Sequence, residues 1–183
     1  FNFMLENKMI GRKGEGGFYK LINKNNKKIK YSLNLNTREY SISIKTKIEN
    51  LKVIKKDLKS YLTLQDNFSK YALHILSDVL YYVLEIAEKI SLDIISIDEA
   101  MKNGFGWSLG PFEIIDQLGP SFLKEHFLNT NKNIPTLLDD IGGKKFYKIE
   151  SNNIKYFDFI TKEYNILKRS EGVLLLSDIK KTK

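Results

Sequence analysis

The sequence contains no cysteine. That excludes a disulfide framework, a cysteine-ligated metal site and a thiol nucleophile, and it fits a reducing compartment. Histidine is nearly absent as well: only His74 and His126 occur, far apart in sequence and in no HExxH pattern. No apolar run reaches the roughly 18–20 residues a membrane helix needs. The N-terminus has no basic stretch leading into an apolar one, so no secretory signal is visible. It also lacks an initiator Met and starts mid-pattern with Phe1, Phe3, Met4 and Leu5, so the expectation is a segment of a longer chain. A cytoplasmic location is expected on these grounds.

Arginine is scarce too. The formal net charge is +8, yet the only arginines are Arg12, Arg38 and Arg169. Arginine makes the bidentate contacts that give a basic surface specificity for phosphate or bases. The basic residues are mostly lysines spread along the chain, in a sequence also heavy in Asn and Ile, as drift toward AT-rich codons would produce. A solvated lysine surface is therefore favoured over a nucleic-acid site. The 183 residues, 42% hydrophobic and 28% charged, are enough for a globular core in one large or two small domains.

What is present is organised around residues 97–119, IDEAMKNGFGWSLGPFEIIDQLG. A helical pattern stops at Gly104. A glycine-rich turn containing the only Trp, Trp107, follows. Pro111 then opens a second helix that stops at Gly119. Glycine tolerates the left-handed conformation past a helix end, and proline suits the first helical position.

Before this stretch, Asp66 is the expected N-cap of a long helix. Phe68, Tyr71, Ala72, Ile75, Leu76, Val79, Tyr82, Val83, Ile86, Ala87 and Ile90 recur there at i, i+3, i+4. Leu73, Leu80 and Leu84 add apolar positions elsewhere, which predicts a helix central to a bundle or an interface. The next helix is expected to start near Ser91 or Ser96, where Ser96 and Glu99 match a capping box, and Thr46-Lys47-Ile48-Glu49 match another for a mostly polar linker helix through Ile48, Leu51, Ile54, Leu58 and Leu62. After Gly119 come helices over 120–128 and 135–141.

The chain also repeats itself. Phe146-Tyr147-Lys148-Ile149 echoes Phe18-Tyr19-Lys20-Leu21, and residues 158–164 echo 34–40, each after a glycine pair. In the earlier copy, strands over 28–33 and 38–44 flank an Asn-rich turn. The period is too long for a solenoid. It points to a duplicated unit, a helical body closed by a small three-stranded sheet, with a loop differing by about four residues between copies.

No catalytic, cofactor-binding or metal site emerges from the residues. GxGxxG is missing, because Gly14-Glu15-Gly16-Gly17 lacks the third glycine and does not follow a strand. Gly143-Lys144 has Leu138 where a P-loop needs glycine. No serine lies in a GxSxG elbow. His74 and Asp78 sit four apart and could touch, but a polar helix edge is the simpler reading. Glu113 and Asp116 in the first turns after Pro111 suit the helix dipole.

Residues 97–119 nevertheless resemble the C-terminal domain of the 3-hydroxyacyl-CoA dehydrogenase family. Asp98, Gly104 through Gly110, Pro111, Phe112, Glu113, Asp116 and Gly119 carry the likeness. Gly11-Arg12-Lys13-Gly14-Glu15-Gly16-Gly17-Phe18-Tyr19 resembles the segment that closes such a domain, with one residue deleted. The resemblance implies a mainly α fold, a helical bundle of that C-terminal type with small three-stranded antiparallel sheets near each end. It divides the chain into 1–22, the tail of a preceding helical domain; 23–64, a hairpin and linker helix; 65–149, the helical C-terminal domain; and 150–183, a hairpin and interdomain tail.

It further implies NAD-dependent oxidation of a 3-hydroxyacyl-CoA to the 3-ketoacyl-CoA in fatty-acid β-oxidation. The family's NAD-binding and catalytic residues lie in parts this chain lacks, so the chain alone is expected to be inactive and NAD-free. Its expected partners are the preceding Rossmann and first helical domains, packed as a pseudo-dimer, with acyl-CoA and a homodimer in the whole protein. Trp107 and Phe112 would be packing anchors. The alternative is a free-standing lysine-rich helical module for nucleic acid or acidic partners.

Overall fold

The computed structural model describes residues 1–45, 57–169 and 171–182. It divides into two compact units, Phe1–Glu49 and Asn50–Lys183. The proposed capping box at Thr46–Glu49, and the linker helix through Ile48, Leu51 and Ile54, lie outside the described residues.

The first unit holds a five-residue helix, α1 (Asn2–Glu6), and three strands, β1 (Tyr19–Lys24), β2 (Lys27–Leu33) and β3 (Tyr40–Ile42). They form one antiparallel sheet in the order β1-β2-β3. The predicted strand over 38–44 is shorter than expected because Arg38 takes a left-handed conformation (φ 61°). Asn34 explains why the chain turns here. Its side-chain oxygen accepts from the amides of Asn36 and Thr37, at 2.9 and 3.2 Å, the local bonding that makes Asn a turn residue.

The second unit carries helices α2 (Leu58–Leu62), α3 (Asn67–Ile90), α4 (Ile94–Phe105), α5 (Pro111–Leu118), α6 (Pro120–Asn129), α7 (Thr136–Asp140) and α8 (Leu176–Thr182). Its strands β4 (Tyr147–Glu150), β5 (Asn153–Phe157) and β6 (Tyr164–Ile166) form a second three-stranded antiparallel sheet. Among the described residues the fold is thus eight helices with two small sheets.

The two sheets share their hydrogen bonds as well as their sequence. Phe18 O accepts from Leu33 N at 2.9 Å, and Phe146 O from Phe157 N at 2.8 Å. The Tyr40 hydroxyl donates to Gly17 O, and that of Tyr164 to Lys145 O, both at 2.5 Å. Asp158 turns the chain through the amides of Ile160 and Thr161 as Asn34 does in the first copy. The length difference is not in a loop. Both hairpins close through two left-handed residues, Asn25-Asn26 and Ser151-Asn152, the conformation that two-residue type I′ turns require. The first hairpin has two more residues in each strand.

Local capping corrects two boundaries. Asp66 caps α3 as expected, accepting from Phe68 N and Ser69 N. Helix α4, however, is capped by Asp93, which accepts from Ser96 N at 2.7 Å. Ser96 is therefore inside the helix rather than its cap. The helix also runs past Gly104 to Phe105 and ends at Gly106, the residue that is left-handed (φ 69°).

The long helix α3 is not the centre of the unit. Its buried side is Ser69, Ser77, Leu80, Val83, Leu84 and Ala87. Much of the predicted stripe (Phe68, Tyr71, Ile75, Tyr82 and Ile90) is exposed. The central element is the short helix α5, which touches α2, α3, α4, α6 and β4. Pro111, Phe112, Ile114, Ile115 and Leu118 of its eight residues are buried. Each large apolar side chain so buried contributes about 1.5–3 kcal/mol.

Sheet and helices meet through aromatic edges. Phe146 packs T-shaped on Phe112, with centroids 4.9 Å apart, and on Phe157 at 6.2 Å. Phe146 is 0% exposed. Phe146→Ala should therefore destabilise the second unit by about 3–5 kcal/mol, read as a lower urea midpoint. A loss below 1 kcal/mol would show that the sheet is not part of the core.

Candidate functional site

The segment singled out by sequence folds into a corner stitched by carboxylates. Asp98, on α4, is fully buried. Its Oδ1 accepts from Phe112 N in the first turn of α5, at 2.8 Å, and its Oδ2 from the Tyr147 hydroxyl on β4, at 2.9 Å. Opening amides of a helix have no partner within it, so Asp98 caps α5 from a neighbouring helix. Glu113 accepts from Gly110 N at 2.9 Å and pairs with Lys102 at 3.3 Å. Asp116 accepts from Phe146 N and Tyr147 N, at 2.6 and 2.7 Å, and so holds the start of β4.

Burial sets the electrostatics. It pushes Asp98 up to about 7, although the bonds from Phe112 and Tyr147 favour its charge. Asp116 is likewise pushed up to about 6 by burial, against the two amides it accepts from. The Tyr147 hydroxyl is raised by burial and by Asp98 beside it. Burial disfavours the charge of Lys102, but Glu113 and Glu99 outweigh it and raise its pKa.

Gly110 is needed for space rather than conformation, since its φ is −74°. A Cβ placed there would lie 2.2 Å from Cβ and Cγ of Asp98. Gly104 has nothing within 4 Å of such a Cβ. Trp107 is half-buried against the core, and Phe112 is completely buried. Of the two expected anchors, Phe112 is thus the stronger.

A cleft of about 370 Å³ adjoins the corner, bordered by Lys102, Leu109, Tyr147, Ile154, Arg169 and Asp178 among others. Its cations are neutralised locally. Arg169 bonds Asp178 through two nitrogens at 2.8 and 3.2 Å, and Lys102 pairs with Glu99 and Glu113. Asp98 has no exposed surface with which to touch a substrate. What the arrangement does is lock two helices to one sheet.

The other candidates lie elsewhere. His74 is 3.9 Å from Asp78, and both are exposed; Asp78 also pairs with Lys132. His126 Nε2 lies 3.2 Å from Ser77 Oγ, whose own proton goes to His74 O. The serine is buried and so donated away from the imidazole. These groups form a polar helix edge. Among the described residues no cluster of three or more His, Asp or Glu could hold a metal. No helix there is long and apolar enough to cross a membrane.

The glycines of residues 11–17 do not fit NAD. Gly11 N donates to Gly16 O across an isolated bridge, and the segment leads into β1. A dinucleotide site needs the glycine turn between a strand and a helix whose N-terminus meets the pyrophosphate.

Residues 71–133, from α3 through the loop after α6, match the family described as "3-hydroxyacyl-CoA dehydrogenase, C-terminal domain". Over these residues the helical body of the chain is similar to that family's domain. A relative from Bacillus subtilis, named provisionally as a 3-hydroxyacyl-CoA dehydrogenase, is 33% identical over 191 aligned residues, 100% of this chain and 23% of that protein. One from Rickettsia felis, named provisionally as a fatty acid oxidation complex trifunctional enzyme, is 29% identical over 174 residues, 95% of this chain and 24% of that protein. The chain thus spans about a quarter of the length of these curated relatives. No solved structure matches it significantly.

Two measurements check the corner. Gly110→Ala should cost roughly 2–4 kcal/mol through the clash with Asp98, while Gly104→Ala should be neutral or stabilising by up to about 1 kcal/mol. The reverse order would refute the close-approach argument.

The second concerns pH. Asp98 and Asp116 have folded pKa values above their usual 3.8, so the folded state holds protons that the unfolded state releases. Their contribution is fully present below about pH 4 and is lost as pH rises through about 6 and 7. His126, lowered mainly by burial, works in the opposite sense below about 6.5. Between pH 5 and 8 the Asp98→Asn/Asp116→Asn variant should therefore lack a decline in stability that the parent shows. Parallel profiles in urea titrations would contradict the assignment.

Proposed function

We propose that this chain is the C-terminal portion of an NAD-dependent 3-hydroxyacyl-CoA dehydrogenase that converts 3-hydroxyacyl-CoA to 3-ketoacyl-CoA in cytoplasmic fatty-acid β-oxidation. The observation that carries the reading is the family match over residues 71–133, which includes the three carboxylates of the corner, Asp98, Glu113 and Asp116. The names of the two relatives point the same way. In this reading residues 1–22 end a preceding helical domain, and residues 65–149 form the second one. NAD and the reacting groups belong to a Rossmann domain elsewhere in the longer protein, and the second helical domain supports the acyl-CoA side by packing.

The exposed stripe of α3 supplies a surface for that packing. Phe68, Tyr71, Ile75, Tyr82 and Ile90 project at helical spacing, away from the core side of the same helix. A line of large apolar side chains on one helix face is the usual form of a helix–helix contact. We assign it to the first helical domain, in a pseudo-dimer.

The test uses two proteins. A longer protein containing this segment should form NADH from a 3-hydroxyacyl-CoA, and the 183-residue chain alone should not. The chain alone should also self-associate in sedimentation experiments. Tyr71→Glu/Tyr82→Glu should abolish that association and lower the thermal midpoint of the longer protein. A longer protein without dehydrogenase activity overturns the activity. A monomeric chain that binds no hydrophobic dye overturns the role of α3.

A further inference from the structure

The two sheets have the same backbone but different cover. In the second, Phe146 is 0% exposed and packs on Phe112; the amides of Phe146 and Tyr147 donate to Asp116, and the Tyr147 hydroxyl donates to Asp98. The first sheet keeps the corresponding residues, Phe18 and Tyr19, in the same register. There Phe18 is 52% and Tyr19 57% exposed. Leu35, which corresponds to the buried Phe159, is 67% exposed. A groove of about 350 Å³ opens beside Phe18, lined by Phe3, Met4, Leu33 and Leu35 among others.

Charge separates the copies in the same way. Residues 1–49 hold eleven basic and four acidic residues, against nineteen and eighteen in residues 50–183. The first unit is therefore both richer in basic residues and poorer in acidic ones than the second. In the second unit the cover over the sheet is a helix corner that brings Asp98, Glu113 and Asp116 to it.

We propose that the exposed face of the first sheet docks a second helix–glycine-corner–helix unit of the same kind as α4–α5. One carboxylate of that unit accepts the amides of Phe18 and Tyr19, a second accepts the Tyr19 hydroxyl, and an aromatic side chain stacks on Phe18. The inference rests on the reading of this chain as part of a longer protein with a preceding helical domain, and it names the chemistry of that domain's contact. Buried amides and hydroxyls need partners, and the duplicate within this chain displays which partners suit this backbone.

Hydrogen exchange tests it. In the 183-residue chain, the amides of Phe18 and Tyr19 should exchange fast while those of Phe146 and Tyr147 are protected. In the longer protein, protection at Phe18 and Tyr19 should rise roughly 100-fold or more, as for a segment that opens only with its unit. Tyr19→Phe should cut that gain roughly tenfold, the loss expected for one hydrogen bond to a charged group. The same substitution should leave the isolated chain unchanged. Equal protection of both pairs in the isolated chain would overturn the proposal, as would fast exchange at Phe18 and Tyr19 in the longer protein. The outcome is separate from the dehydrogenase reading, because a longer protein without that activity could still show the protection.

Discussion

One buried carboxylate holds the second unit together. Asp98 joins α4 to the first turn of α5 through Phe112 N and to the sheet through the Tyr147 hydroxyl. Burying a charge is costly unless it is well bonded, and here burial raises its pKa to about 7. The chain bears that cost where it gains geometry. With Asp98 in place, Gly110 must stay without a side chain, Phe112 is set at the core, and Asp116 on the next turn reaches the amides that open β4. Helix, corner and sheet then form one cooperative body, because no member of the network can be removed without stranding a partner.

This gives the segment that carries the family resemblance, residues 97–119, a structural meaning. A run of glycine, proline, aromatic and acidic residues invites an active-site reading, and so does a carboxylate whose pKa burial pushes up to about 7. The geometry assigns each of these to architecture. The acids accept from backbone amides and from a tyrosine. The cleft beside them is lined by cations that already have carboxylate partners. Perturbed pKa values mark functional sites only in proportion to the other evidence, and here burial within a core explains them.

Much of this was legible in the residues because it is local. Asp66 before an apolar period, Pro111 after glycine, the Asn34 turn and the repeated Phe-Tyr strand each depend on neighbours within a few positions. The errors arise where two local signals compete or where the partner is distant. Ser96 with Glu99 makes a good capping pattern, but Asp93 three residues earlier captures the amide of Ser96. Gly104 and Gly106 are equally suited to end a helix, and only the backbone distinguishes them. On α3 the period is right, yet apolar residues occur on more than one face, and periodicity does not say which face meets the core. The link from Asp98 to Tyr147 spans 49 positions. No spacing rule finds it.

The central claim is that Asp98 and Tyr147 act as one unit that couples the helices to the sheet. A double-mutant cycle on the stability of the second unit, with Asp98→Asn, Tyr147→Phe and the pair, measures it most directly. The account predicts a coupling energy of about 1 kcal/mol or more, as expected for groups sharing one buried hydrogen bond. Strictly additive effects, within roughly 0.3 kcal/mol, would contradict it.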